Sequence, residues 1–337
     1  MKAKIAVLLA VVSSLFWGVP ELRAADRFEL KASTFEPIGN HYTNWLQAWA
    51  DTLDQRSGGR LKVTVYPSNQ MGAMPRQYDL ARTGVADFAF TMHGVTPGRF
   101  PLSELSHVPF VVPNSRSGSQ ALTALLPKYL AAEHKGARVL TLSTGGLALF
   151  TNKVAVRRPE DLKGLRIRHP DSIAAATLTA MGAVPVYTET AHIADALNKG
   201  TIDGALLAWE ALESFQVRAK YATDWGGNIT TFVLAMNPAT YDGLPRDLQQ
   251  LIDETTGLPA ARQMGEGADA AATEGRAFAL KSGIEIIDLT PDERKAFDES
   301  SKQAIEKIIA EQQAKGLPAA AFIDDLKAEV AHFSQTP

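Results

Sequence analysis

A chain of 337 residues, 45% hydrophobic and 21% charged, has an ordinary globular balance and is long enough for two domains with separate cores. Its formal net charge is −3, or near −5 once Lys2, Lys4, Glu21 and Arg23 are set aside with residues 1–24, which disfavours nucleic acid and anionic membranes as partners. The absence of cysteine removes disulfides, thiolate chemistry and cysteine metal sites.

In chain order, Lys2 and Lys4 precede an apolar run from Ile5 to Val19, broken by Ser13, Ser14 and Gly18 and followed by small residues around Ala24. This reads as a secretory signal peptide over 1–24, and so as a periplasmic mature protein. Strands are expected at 28–34, 61–66 and 86–90, with a helix between the first two that carries Trp45, Leu46, Trp49, Ala50 and Leu53 on one face and stops at Gly58-Gly59, and another at about 74–83. That alternation signals a parallel sheet flanked by helices. The pattern resumes with strands at 139–142, 147–151, 165–168, 184–187 and 202–207. Helices are expected at 171–181, 190–199 and 209–222, and a further strand at 231–237. Thr144-Gly145-Gly146 reads as a strand-end turn. Beyond the strand at 231–237 the chain is helical, at 245–255, 258–282, 291–315 (with Thr290 as N-cap) and 318–333. The Ala/Gly-rich 258–282 segment fits a helix packed closely across two lobes, or a surface hairpin.

Catalytic patterns are missing. The seven histidines show no i, i+4 pair, and there is no G-x-S-x-G, phosphate loop or dinucleotide fingerprint. Glu210 and Glu213 sit at helical spacing and read as a solvated face. An enzyme is therefore the weakest reading, with no cofactor or metal implied. Strand ends facing a cleft favour small-molecule binding. Candidates there are Phe35 and His41 after the first strand, Met92 and His93 after the third, and Phe150. A second group comprises Arg168, Asp171, Tyr187, Leu207, Trp209 and Phe232. Phe150, Tyr187 and Phe232 fit a core equally well, whereas Trp209 follows a strand end and suits a cleft. Leu165-Arg166-Ile167-Arg168 alternates before Pro170, so Arg168 ends a strand where a guanidinium fork can meet a carboxylate. Spacing alone equally allows both arginines to lie in surface ion pairs, and His169 points away from Arg168.

Four segments, GGRLKVTVYPSNQMG (58–72), GVADFAF (84–90), DLKGLRIRHP (161–170) and GTIDGALLAWEA (200–211), together resemble the DctP-type substrate-binding proteins of TRAP transporters. The resemblance covers nearly the whole mature chain. It implies a two-lobed α/β fold like that of type II periplasmic binding proteins, with a mixed, mostly parallel sheet in each lobe and a long helix spanning both. Lobe I would take 26–149 and about 231–272, and lobe II 150–230 and about 273–337. It also implies a monomer that captures a small organic acid by hinge closure, anchors its carboxylate on Arg168 and delivers it to a TRAP-type permease; a receptor kinase is the alternative partner. Three positions depart from the family's polar pattern: Leu147 stands where some members have a second arginine, Leu207 where many have asparagine, and Met92 where some have an acid. A pocket with one arginine and apolar walls favours a monocarboxylate, aromatic or a 2-oxo acid, over a C4-dicarboxylate or sugar acid. His41, His93 or Arg166 turning inward would weaken that preference.

Overall fold

A computed structural model describes residues 26–335; the signal-peptide expectation for 1–24 lies outside them. The first lobe opens with β1 (Phe28–Thr34), α1 (His41–Arg56), β2 (Leu61–Tyr66), α2 (Gln77–Thr83) and β3 (Phe88–Met92). Asn40 caps α1 by accepting from the Tyr42 amide, and Gly58 and Gly59 end the connection in the left-handed region, as their sequence positions suggest. The stretch after β3, for which no elements were expected, forms α3 (Pro101–Leu105) and α4 (Ser115–Leu125). Asn114 caps α4 through the Ser117 amide, a cap signal present in the sequence. Three serines and a glycine fill its first five residues, weak helix formers that hide the helix from a reading of the sequence.

β4 (Arg138–Thr151) is one strand where two were expected. It runs straight through Gly145 and Gly146, so these are not a turn. A Cβ on Gly145 would lie 3.4 Å from the Phe232 ring, and glycine lets the strand pass close to that aromatic cluster. β5 (Arg166–His169), α5 (Ser172–Ala180), β6 (Val184–Tyr187), α6 (Ile193–Asn198) and β7 (Gly204–Leu207) follow nearly as expected. The helix expected over 209–222 does not form. Only the single turn α7 (Ala211–Ser214) does, and the chain reverses at Gln216 with φ 54°. From Tyr221 it joins β8 (Tyr221–Met236), because β4 and β9 (Glu285–Ile287) offer it a ladder on each side. Tertiary pairing there overrides local helical spacing.

The strand order is β2-β1-β3-β8-β4-β7-β5-β6, with β9 beside the early part of β8. β1 is parallel to β2 and β3, and β5 is parallel to β6 and β7. The long antiparallel pair β4 and β8 belongs to both halves and makes one continuous sheet. α8 (Pro238–Gly243), α9 (Arg246–Thr255), α10 (Gly257–Lys281), α11 (Pro291–Ala314) and α12 (Ala319–Gln335) complete the chain. Thr290 and Glu293 form a reciprocal capping box on α11.

α10 meets both lobes, and its glycines explain how. A Cβ on Gly265 would lie 2.5 Å from the Ser115 carbonyl at the start of α4, and one on Gly275 would lie 2.5 Å from the Glu210 amide. The expectation that 273–337 follows the second lobe differs from the packing. α11 buries Phe297 in the second-lobe core, but Phe322, Ile323, Leu326 and Val330 of α12 pack in the first-lobe core with Leu122 and Leu125 of α4. α12 has its apolar stripe filled by α4, and chain order does not decide its lobe.

Candidate ligand-binding cleft

Arg168 occupies the end of β5, where Pro170 halts the strand. Its side chain is wholly buried. Nε donates to the Thr188 carbonyl (2.9 Å), one terminal nitrogen to the Leu206 carbonyl (2.9 Å) and the other to Thr190 Oγ1 (3.3 Å). Among the described residues no carboxylate stands within ion-pair distance. Burial lowers its pKa to about 10, against the opposing pull of Tyr187 and Asp171. The guanidinium is therefore oriented by neutral acceptors, still charged at neutral pH, and left without a counter-anion. Arg166, by contrast, is spoken for: it donates to both Asp203 oxygens at 3.0 and 2.9 Å, and Lys153 joins them at 2.5 Å. It is ion-paired at the start of β5 and does not line the cavity that Arg168 lines.

Arg168 lines a cavity of about 40 Å³ between the lobes. Phe35, Met92 and Phe232 approach from the first lobe, Leu207 and Phe215 from the second, and Leu147 from β4. The Phe35 and Phe232 rings stack at 6.5 Å, and Phe232 stacks on Phe90 at 5.4 Å, which fixes its orientation. Leu147, Leu207 and Met92, the three departures from the family's polar pattern, all border this one cavity.

The structure thus brings together Arg168, Phe35, Met92, Leu207 and Phe232 of the sequence candidates. The others sit elsewhere. His93 is buried beside the cleft, sharing a 2.9 Å hydrogen bond with Thr231 Oγ1; burial, then His134 and His107, hold it well below the usual imidazole range. Asp171 caps α5 and faces His107 at 3.0 Å, joining the two lobes; burial would raise its pKa, but His107 and the Ala174 amide keep it low. Ser172 adds a second tie, donating to Glu104 Oε2 at 3.0 Å. Phe150 is core, edge-on to Trp209 at 5.1 Å. Trp209 itself is buried between Phe150 and Arg276 and borders a separate outer groove with α10 residues. Tyr187 is 45% exposed, tilted against His169. His41 lies at the cleft rim, 3.9 Å from Glu210, and burial lowers its pKa to about 4.

Two acids that sequence reasoning missed line the cavity. Glu36 is 5% exposed and its Oε2 has no hydrogen-bond partner; burial, then the facing Glu210, pushes its pKa up to about 8. Glu210, read as solvated, keeps only 18% of its side-chain exposure, and burial raises it to about 7. α10 passes close to the backbone at residues 209–210, where Trp209 borders the outer groove and Glu210 the cavity, opposite to their expected roles. Thr230 also lines the wall, with a buried, unpartnered hydroxyl. It stands two residues before Phe232 on β8, so strand alternation from Phe232 points to it.

Residues 32–312 match the family described as bacterial extracellular solute-binding protein, family 7, DctP. This chain belongs to that family. Among solved structures, a TRAP solute-binding protein from Rhodoferax ferrireducens T118, in complex with copurified benzoate, is 32% identical, with 91% of this chain and 99% of that one covered and a TM-score of 0.88. A marine-metagenome TRAP solute-binding protein specific for aromatic acid ligands, with 3-hydroxybenzoate, is 28% identical over 92% and 100% of the two chains, also at 0.88. The 2,3-diketo-L-gulonate-binding periplasmic protein of Escherichia coli (strain K12) is 25% identical over 289 residues, 82% of this chain and 85% of that protein. The DctP family supplies the solute-binding component of TRAP transporters, working with a membrane permease, so this chain is a transport protein and not an enzyme.

Proposed function

We propose that this DctP-family protein binds an aromatic or otherwise apolar monocarboxylate between its lobes, with the carboxylate on Arg168 and the body against Phe35, Met92, Leu147 and Phe232. It would act in the periplasm after removal of its leader, as a monomer that hands the acid to a TRAP-type permease rather than to a receptor kinase. The observation that carries the reading is Arg168: a buried, charged guanidinium whose acceptors are all neutral. An isolated buried charge is costly, and an incoming carboxylate offsets that cost through charge-assisted, bidentate bonds. Two relatives of closely similar fold carry aromatic acids, which fits the same wall chemistry.

The cavity of about 40 Å³ holds a few water molecules at most. Admission of an organic acid therefore requires the lobes to part about β4 and β8, and closure then expels water and strengthens the ion pair. A dicarboxylate is disfavoured, because the second acid group would meet Glu36 and Glu210 instead of a cation. Isothermal titration of the mature protein with benzoate tests the reading. Binding is expected in the wild type and not in Arg168→Ala; equal affinity in both would refute the anchor.

A further inference from the structure

The mechanism of carboxylate capture leaves one set of cleft groups unused. Glu36, from the loop after β1, and Glu210, from the turn after β7, come from opposite lobes and face the same cavity as Arg168, yet neither ion-pairs with it. Glu36 Oε2 and Thr230 Oγ1 are each more than nine-tenths buried and without a hydrogen-bond partner. Glu36 is held by its backbone: its carbonyl accepts from Thr43 Oγ1 (3.3 Å) and the Ser68 amide (2.8 Å), and its amide donates to Thr34 Oγ1 (3.1 Å). With the backbone fixed, the side chain lines the cavity and its Oε2 finds no partner there. Buried polar groups left unpaired are rare in native proteins and ask for an explanation.

The cavity gives one. Its lining sets one guanidinium, two acids and the Thr230 hydroxyl among apolar and aromatic side chains. Among the described residues Arg168 is the one lysine or arginine that lines the cavity, and His41, beside Glu210, is held neutral by burial. We propose that Glu36, Glu210 and Thr230 form a second polar subsite that takes a neutral hydroxyl group of the ligand, so that the cargo is a hydroxylated aromatic monocarboxylate. A hydroxyl both donates and accepts, and so can satisfy a protonated carboxyl and a threonine together. A second carboxylate at the same place would stand against two acids in a low-dielectric site, and is excluded by repulsion as well as by desolvation. Because Glu36 and Glu210 come from different lobes, the hydroxyl would also report closure: only the closed cleft brings both acids to it. This rests on the Arg168 anchor of the proposed function and adds the selection at the other end.

The test is isothermal titration of the mature protein with benzoate, 3-hydroxybenzoate and benzene-1,3-dicarboxylate, comparing wild type, Thr230→Val and Glu36→Leu. Thr230→Val keeps the branched shape in β8, and Glu36→Leu removes an unpartnered buried carboxyl, so neither threatens the fold. The wild type is expected to prefer the hydroxy acid over benzoate by about tenfold, the worth of one well-made buried hydrogen bond. Each variant should collapse that ratio, whereas a merely structural role would lower both affinities alike. Arg168→Ala separates the two ways of failing. If it binds benzoate as the wild type does, the anchor falls and this subsite with it; if it loses benzoate while both variants keep the wild-type ratio, only the subsite falls. A wild type that binds the dicarboxylate as tightly as the hydroxy acid also overturns the proposal.

Discussion

Arg168 illustrates how much a single side chain reveals in sequence and where that stops. Its strand-end position was legible, because Leu165 to Arg168 alternates and Pro170 cannot continue the ladder. That Arg166 would be paired and Arg168 unpaired was not, since the deciding partner, Asp203, is 37 residues away across β5 and β7. The same long-range placement hid Glu36 and Glu210: adjacent to Phe35 and Trp209 in sequence, they were passed over because charge usually means solvent. Geometry at Arg168 also makes a sharp prediction for Arg168→Lys. The guanidinium reaches three acceptors in one plane, Thr188, Leu206 and Thr190. An ammonium keeps the charge but cannot span two backbone carbonyls and still present a fork to the ligand. Benzoate affinity is expected to fall by about 1.5–3 kcal/mol, the range for a charged hydrogen bond, in a protein that remains folded by circular dichroism. An unchanged affinity would mean that charge alone, and not the fork, holds the ligand.

At the scale of elements, short strands and long helices were readable, while the two long strands shared between lobes were not. β4 and β8 look broken in sequence, by two glycines in one and by a misleading helical spacing in the other, and only pairing along their length shows them continuous. α4 was invisible because serines and a glycine, weak helix formers, fill its first turns. α10 carried its own signal in its small residues, and the structure gives that signal a use at Gly265 and Gly275. Both positions are helical and need no unusual backbone, so alanine would be locally favourable, and only the close approach argues against it. Gly265→Ala and Gly275→Ala should each destabilise by about 1–3 kcal/mol through overpacking, seen as a melting temperature lower by several degrees. The pair differ in function. Gly275→Ala must displace the backbone at residues 209–210, hence Glu210, and should also weaken ligand binding. Gly265→Ala presses on the start of α4 and not on the backbone at residues 209–210, and should leave the binding loss smaller than that of Gly275→Ala. Equal binding losses would show that α10 acts on the cleft as a rigid whole.

For the whole molecule, the two-lobed architecture followed from the order of strands and helices and from the family resemblance, whereas the closed cleft and its protonation could come only from the assembled lobes. Glu210 lies beside both His41 and Glu36, all three largely buried, and under the proposed closure this couples lobe motion to pH. The carboxyls have pKa values raised from the ordinary range near 4.5, to about 8 for Glu36 and about 7 for Glu210. A raised carboxyl favours the closed form fully below its ordinary pKa, and that advantage is lost as pH climbs through about 7 to 8. His41 runs the other way: its pKa is lowered from 6.5 to about 4, so its contribution is complete above 6.5 and lost as pH falls through about 4. The closed, ligand-holding form is therefore expected to be strongest in mildly acidic solution, to weaken up to about pH 8 and to level off above it. Benzoate stays ionised across that upper range, so a fall in its affinity between pH 6 and pH 9 reports the protein and not the ligand. Glu36→Gln cannot ionise and should flatten the profile above pH 7 while keeping the side chain's shape. A wild-type affinity that does not change between pH 6 and pH 9 would mean that the two acids are already ionised in the closed cleft, and that water or a cation reaches them there.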